Sequence, residues 1–120
     1  MTNWRAVMVG FGVAIVLGLI ATVVPGVGHV AAGLIGGFAA GYVAGGSITS
    51  GAWHGLLAGA LGGIVAGFFL AVAVTIVGSI GLGPLGPFLG GATFVAAVVV
   101  AMLFALDSAI GGAIGAVLAD

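Results

Sequence analysis

The chain has 120 residues, 63% of them hydrophobic and 2% charged, with a formal net charge of -1; soluble domains carry roughly 25% charged residues, so the solvent of this chain is lipid and not water. That charge rests on Arg5, Asp107 and Asp120, which excludes a basic field for nucleic acid and a polybasic patch for anionic headgroups. No cysteine is present, so disulfides, thiol nucleophiles and thiolate metal sites are excluded, and the redox compartment is left open.

The first apolar run extends from Ala6 to Val24 behind a short basic start, Met1 to Arg5. It is about 19 residues long, enough to span a bilayer. It ends in Val23-Val24-Pro25-Gly26 and not in a small-x-small cleavage site, so it reads as a retained helix and not a signal peptide. Three breaks follow from the helix-ending residues Pro25-Gly26-Val27-Gly28, Gly46-Ser47-Ile48-Thr49-Ser50-Gly51 and Gly81-Leu82-Gly83-Pro84-Leu85-Gly86-Pro87. They predict four spans near residues 4–24, 29–45, 52–80 and 88–118 in a single transmembrane domain. The last two exceed the ~20 residues a bilayer core requires, so they tilt, protrude or lose a turn to the Gly/Pro connection, and Phe88 to Gly91 is open to being loop. Ser50 is a candidate cap for the third span.

Glycine is frequent, with 26 in the chain, although each costs about 1 kcal/mol relative to alanine in a soluble helix. In lipid every backbone N–H and C=O must be bonded within the protein, and a helix does this locally. The apolar residues run continuously where a β-barrel would alternate them, and four short segments cannot close a barrel. The fold class is therefore an all-α membrane protein of four transmembrane helices.

Gly33, Gly37, Gly41 and Gly45 recur at every fourth residue, as do Gly59, Gly63 and Gly67, and each series lies along one helix stripe. Such stripes bring backbones together in the manner of a glycine zipper. Gly10 and Gly18 belong to the same pattern in the first span, because Trp4-Arg5-Ala6-Val7-Met8-Val9-Gly10 aligns with Trp53-His54-Gly55-Leu56-Leu57-Ala58-Gly59 and the register continues through Gly18 against Gly67. A duplicated helical hairpin explains this match; low complexity is the competing explanation, and only the tryptophan-plus-basic pair argues against it.

Arg5, the only lysine or arginine, places the N-terminus in the cytoplasm, and four spans return the C-terminus there. Trp4 and Trp53 then anchor the cytoplasmic interface, with the Pro25 and Pro84 connections outside. His29 and His54 open the second and third spans on opposite sides and read as interfacial anchors.

Asp107 is the one acid inside an apolar segment. It must face protein or water, and its every-fourth-residue spacing with Gly111 and Gly115 puts it on a small-residue face. It is either interhelical glue, bonded to backbone or Ser108 or ionised against Arg5 or His54, or a proton or cation relay. A pair with His54 would titrate and could report cytoplasmic pH. Two histidines and few carboxylates predict no metal site, no serine has a histidine–acid arrangement, and Gly81-Leu82-Gly83-Pro84-Leu85-Gly86 lacks the Lys-Ser/Thr of a phosphate loop. No catalytic residue, cofactor or enzymatic activity is expected.

The segments Gly33-Leu34-Ile35-Gly36-Gly37-Phe38-Ala39-Ala40-Gly41-Tyr42 and Gly51-Ala52-Trp53-His54-Gly55-Leu56-Leu57-Ala58-Gly59, with the opening Trp4-Arg5-Ala6-Val7, resemble an uncharacterised family of small four-span, glycine-rich membrane proteins from halophilic archaea. The resemblance implies a haloarchaeal cytoplasmic membrane and a domain of unknown function, with no catalytic residues to carry over. The leading expectation is a structural or interaction protein that self-associates, or docks on a larger membrane complex, through its glycine faces. The alternative is a small oligomeric ion or proton channel or transporter using Asp107.

Overall fold

The computed structural model describes residues 1–119 and consists of four helices, α1 (Trp4–Ala21), α2 (Val27–Ala44), α3 (Ile48–Leu82) and α4 (Leu85–Ala119). All four are long and apolar enough to cross a membrane, the pattern of a multi-pass membrane protein. Each connection contains glycine in the left-handed region: Gly26 at φ 82°, Gly45 and Gly46 at 62° and 81°, and Gly83 at 61°. A side chain at those positions would strain the turn, which is why these breaks are visible in the sequence.

The helix ends differ from the expected spans for local reasons. Asn3 caps α1, its side chain accepting the Ala6 N–H at 3.3 Å. At the other end Val23 and Val24 donate to the carbonyls three residues back, Ile20 and Ala21, so the chain tightens and leaves the α-helix at Ala21, ahead of Pro25. Ser47, and not Ser50, caps α3: its side chain accepts the Ser50 N–H at 3.1 Å, which starts the helix at Ile48. Phe88 to Gly91 is helix and not loop. Pro84 precedes α4 and Pro87 lies in its first turn, where a missing N–H breaks no helical bond, so a proline-rich stretch is compatible with continuous helix.

Neither α3 nor α4 loses a turn. Both run for 35 residues against 18 for α1 and α2, or about 52 Å against about 27 Å at the α-helical rise. The molecule accordingly measures 55 × 30 × 19 Å. α3 and α4 pack antiparallel along their whole length, from Gly51 against Ala116 to Gly86 against Ser79. α2 lies parallel to α4, with Gly33, Gly37 and Gly41 over Phe104, Ser108 and Gly112 in turn. α1 lies antiparallel to α2 and touches α3 but not α4, so α2 and α3 form the central pair at the end where the chain begins. We call this end proximal and the α3–α4 turn distal.

The buried set is almost entirely small: Ala6, Ala40, Ala58, Ala105, Ala116, Ser108 and numerous glycines, with Val7 the one large aliphatic side chain that is fully enclosed. Large side chains such as Leu19, Phe69, Ile80, Phe88 and Leu103 point outward. This inverts the distribution of a water-soluble protein and suits lipid, where helices gain little from burying leucine and more from close backbone contact.

Candidate functional site

Among the described residues, two polar constellations occur in this apolar scaffold, both in the proximal half. The first is centred on Ser108, which is fully buried and donates its hydroxyl to the Gly55 carbonyl at 2.7 Å. Three glycines make room for it. A Cβ on Gly37 or on Gly55 would fall on the Ser108 carbonyl, and one on Gly59 would meet the Ser108 side chain at 2.6 Å. Ser108 therefore holds α4 between α2 and α3, with its backbone against both.

The second constellation ties the N-terminus to the first turns of α3. His54 is 3% exposed. Its Nδ1 lies 2.7 Å from the Ser50 carbonyl, and its Nε2 is 2.8 Å from the Asn3 backbone nitrogen. A carbonyl only accepts and a backbone N–H only donates, so these partners assign the neutral ring with the proton on Nδ1. Beside it the Trp53 indole N–H donates to the Thr2 hydroxyl at 3.1 Å. Thr2, Ser47, Thr49, Ser50, Trp53 and His54 line a shallow cleft at this end.

These partners decide how the titratable residues are arranged. A pair between Asp107 and His54, the exception to the reading of His54 as an interfacial anchor, is not made, because both ring nitrogens are engaged by backbone groups of Ser50 and Asn3. Nor does Ser108 donate to the acid; its hydroxyl points to Gly55. Asp107 is half-buried, one residue from Ser108 and so near the level of Gly55 and His54. Its stripe faces α2, since a Cβ on Gly111 would fall on the Leu34 carbonyl and one on Gly115 on the Phe38 carbonyl. Arg5 is exposed on the first turn of α1, and Trp4 and Trp53 are exposed at the same end. His29, at the α1–α2 turn, is exposed and far from His54. No group of three or more His, Cys, Asp or Glu side chains converges among the described residues.

The glycines separate into classes that spacing alone does not distinguish. Gly10, Gly37, Gly41, Gly59, Gly63, Gly67, Gly111 and Gly115 each face a neighbouring helix too closely for a Cβ, while Gly33 has only an ordinary contact, with the Phe104 carbonyl at 3.8 Å. Gly18 faces open space, and Gly45 is the C-cap of α2. Sequence reasoning missed Gly36, Gly51, Gly55 and Gly112, and gave Ser108 only as a partner for Asp107. Gly51 and Gly55 continue the Gly59 stripe two turns toward the N-terminus, so that signal was present; the hydroxyl of Ser108 gave none.

No curated protein and no solved structure matches the chain. Residues 4–118 match the family of unknown function DUF5518, and with nearly the whole chain covered, this protein belongs to that family.

Proposed function

We propose that the protein is a structural or interaction component of the cytoplasmic membrane of a halophilic archaeon, self-associating through glycine-zipper helix faces. The observation that carries this reading is Gly91. Four glycine doublets occur inside helices, and three of them are wedged between neighbours: Gly36 faces α1 and Gly37 faces α4, Gly62 lies by Phe11 of α1 and Gly63 by Ala101 of α4, and Gly111 faces α2 and Gly112 faces α3. In the fourth, Gly90 meets Ala71 and Thr75 of α3 while nothing lies within 4 Å of a Cβ on Gly91. Gly91 lines a groove with Phe68, Ala71, Val72, Thr75 and Phe94. We take this vacancy on the distal hairpin as the seat of a second copy of the chain. The matched roles of Gly10 and Gly59, each facing the partner helix of its own hairpin, support a duplicated hairpin.

Light scattering of the protein in mild detergent tests the proposal. The wild type is expected as an oligomer, and Gly91→Leu as a monomer with unchanged helicity; a wild-type monomer would refute self-association. Orientation is part of the same reading, with both termini cytoplasmic by virtue of Arg5. Cysteines introduced by Gly26→Cys and Leu85→Cys should react with an impermeant reagent outside the cell, and one from Ser47→Cys should not. A small oligomeric channel or transporter is the second reading, favoured by a half-buried acid, Asp107, to which neither Ser108 nor His54 is bonded.

A further inference from the structure

We propose that His54 is a proton-operated clasp that fastens the N-terminal segment to α3. Two adjacent residues of α3 hold two adjacent residues of the N-terminus: Trp53 binds Thr2, and His54 binds Asn3. The two links differ in one chemical respect. The indole N–H is a donor at every pH, whereas Nε2 of His54 accepts the Asn3 N–H only while it carries no proton. A proton added there turns the acceptor into a donor and sets N–H against N–H across a 2.8 Å contact. Turning the ring over gives no escape, because the protonated imidazole has no acceptor to offer Asn3 on either nitrogen, and Nδ1 is already committed to the Ser50 carbonyl at 2.7 Å. The bond to Asn3 must therefore break.

What is released is the start of a helix. Asn3 is the N-cap of α1: its side chain accepts from the Ala6 N–H and its carbonyl from the Val7 N–H at 3.2 Å. Loss of its anchor to His54 frees the cap from α3 and leaves the Trp53–Thr2 bond as the single link of the pair, which opens with the segment and bares the indole N–H. Ala6 and Val7, fully buried one turn further on, mark where the opening stops.

The charged and titratable groups around the clasp are few. From the N-terminal segment the Met1 residue lines the same cleft, and Arg5 is exposed on the first turn of α1. α4 contributes Asp107, on its α2-facing stripe, and α2 contributes Tyr42, against Gly115. Asp120 lies outside the described residues. The ring nitrogens themselves touch the Asn3 and Ser50 backbone, with the Ser50 hydroxyl 3.5 Å from Nδ1.

A Trp4→Phe background leaves Trp53 as the sole indole and so as the reporter of the clasp. In vesicles of neutral lipid, quenching of Trp53 by acrylamide should rise as the pH is lowered. His54→Gln, neutral throughout, should abolish the rise, and His29→Gln should retain it. A wild type without the rise, or a rise that persists in His54→Gln, overturns the proposal. Should His54→Gln not fold, nitrogen NMR of the labelled wild-type histidines decides: Trp53 quenching must follow double protonation of His54, and quenching that stays constant while His54 becomes doubly protonated refutes the clasp.

Discussion

The proximal and distal halves of the molecule are both apolar and rich in glycine, yet they are packed differently. In the proximal half four helices meet, and the glycines bring backbone onto backbone: Gly37 on the Ser108 carbonyl, Gly41 on that of Gly112, Gly111 on that of Leu34 and Gly115 on that of Phe38. In the distal half α3 and α4 have only each other, because α1 and α2 are about 25 Å shorter. There, side chains mediate several of the contacts, as with Gly67 and the Ala97 Cβ at 2.8 Å and Gly90 and the Thr75 hydroxyl. Glycine spacing thus sets how closely a helix can be approached. The number and length of its neighbours set whether anything approaches.

The most severe way to break the proximal packing is to put bulk where two backbones touch. Gly37→Leu should prevent α2 from seating on α4, with loss of folded yield in mild detergent. Even Gly37→Ala should destabilise by about 1 to 3 kcal/mol, since the neighbour is a carbonyl that cannot rotate away. Gly18→Ala has the opposite sign: nothing lies within 4 Å of its Cβ, so it should gain up to about 1 kcal/mol of helix stability. Denaturant titration of both alanine variants checks the contrast. Equal effects would mean that neighbours do not distinguish these glycines.

This pair also marks what was legible in the sequence. The connections were, because Gly26, Gly45, Gly46 and Gly83 adopt backbone angles that side chains resist, and because a run of apolar residues in lipid has no alternative to helix. The glycine faces were only half legible. Gly18 and Gly67 occupy the same register in the aligned spans, yet Gly67 meets the Ala97 Cβ at 2.8 Å while nothing lies within 4 Å of a Cβ on Gly18, although α2 still accompanies α1 there, with Gly28 against Ala21. Which face of a helix meets its neighbour decided this, and spacing within one helix does not state it. The polar partners were least legible. His54 reads from the sequence as an interfacial anchor, with a pair to Asp107 as the exception, whereas the fold buries it and satisfies it with backbone groups, which leave no mark in a sequence.

A smaller effect is expected at Ser108. Its hydroxyl bond crosses from α4 to α3, but the acceptor is a helical carbonyl that keeps its own ladder partner, so Ser108→Ala strands no buried group. Interhelical bonds of this kind average about 0.6 kcal/mol in membranes. A loss of that order, measured in the same titration, would assign the proximal seam to shape more than to polar glue; a loss several times larger would reverse that assignment.

Asp107 should give the smallest change in stability and the clearest functional outcome. It is half-buried, and neither Ser108 nor His54 is bonded to it, so the fold places little demand on its charge. Asp107→Asn keeps size and hydrogen-bonding groups while removing titration, and should alter stability by less than about 0.5 kcal/mol, with oligomer mass unchanged. Under the structural reading, wild-type protein in liposomes passes no more protons or sodium than empty vesicles. A flux present in the wild type and absent in Asp107→Asn, at equal oligomer mass, would overturn that reading and make this carboxyl the ion-binding group of a channel or transporter.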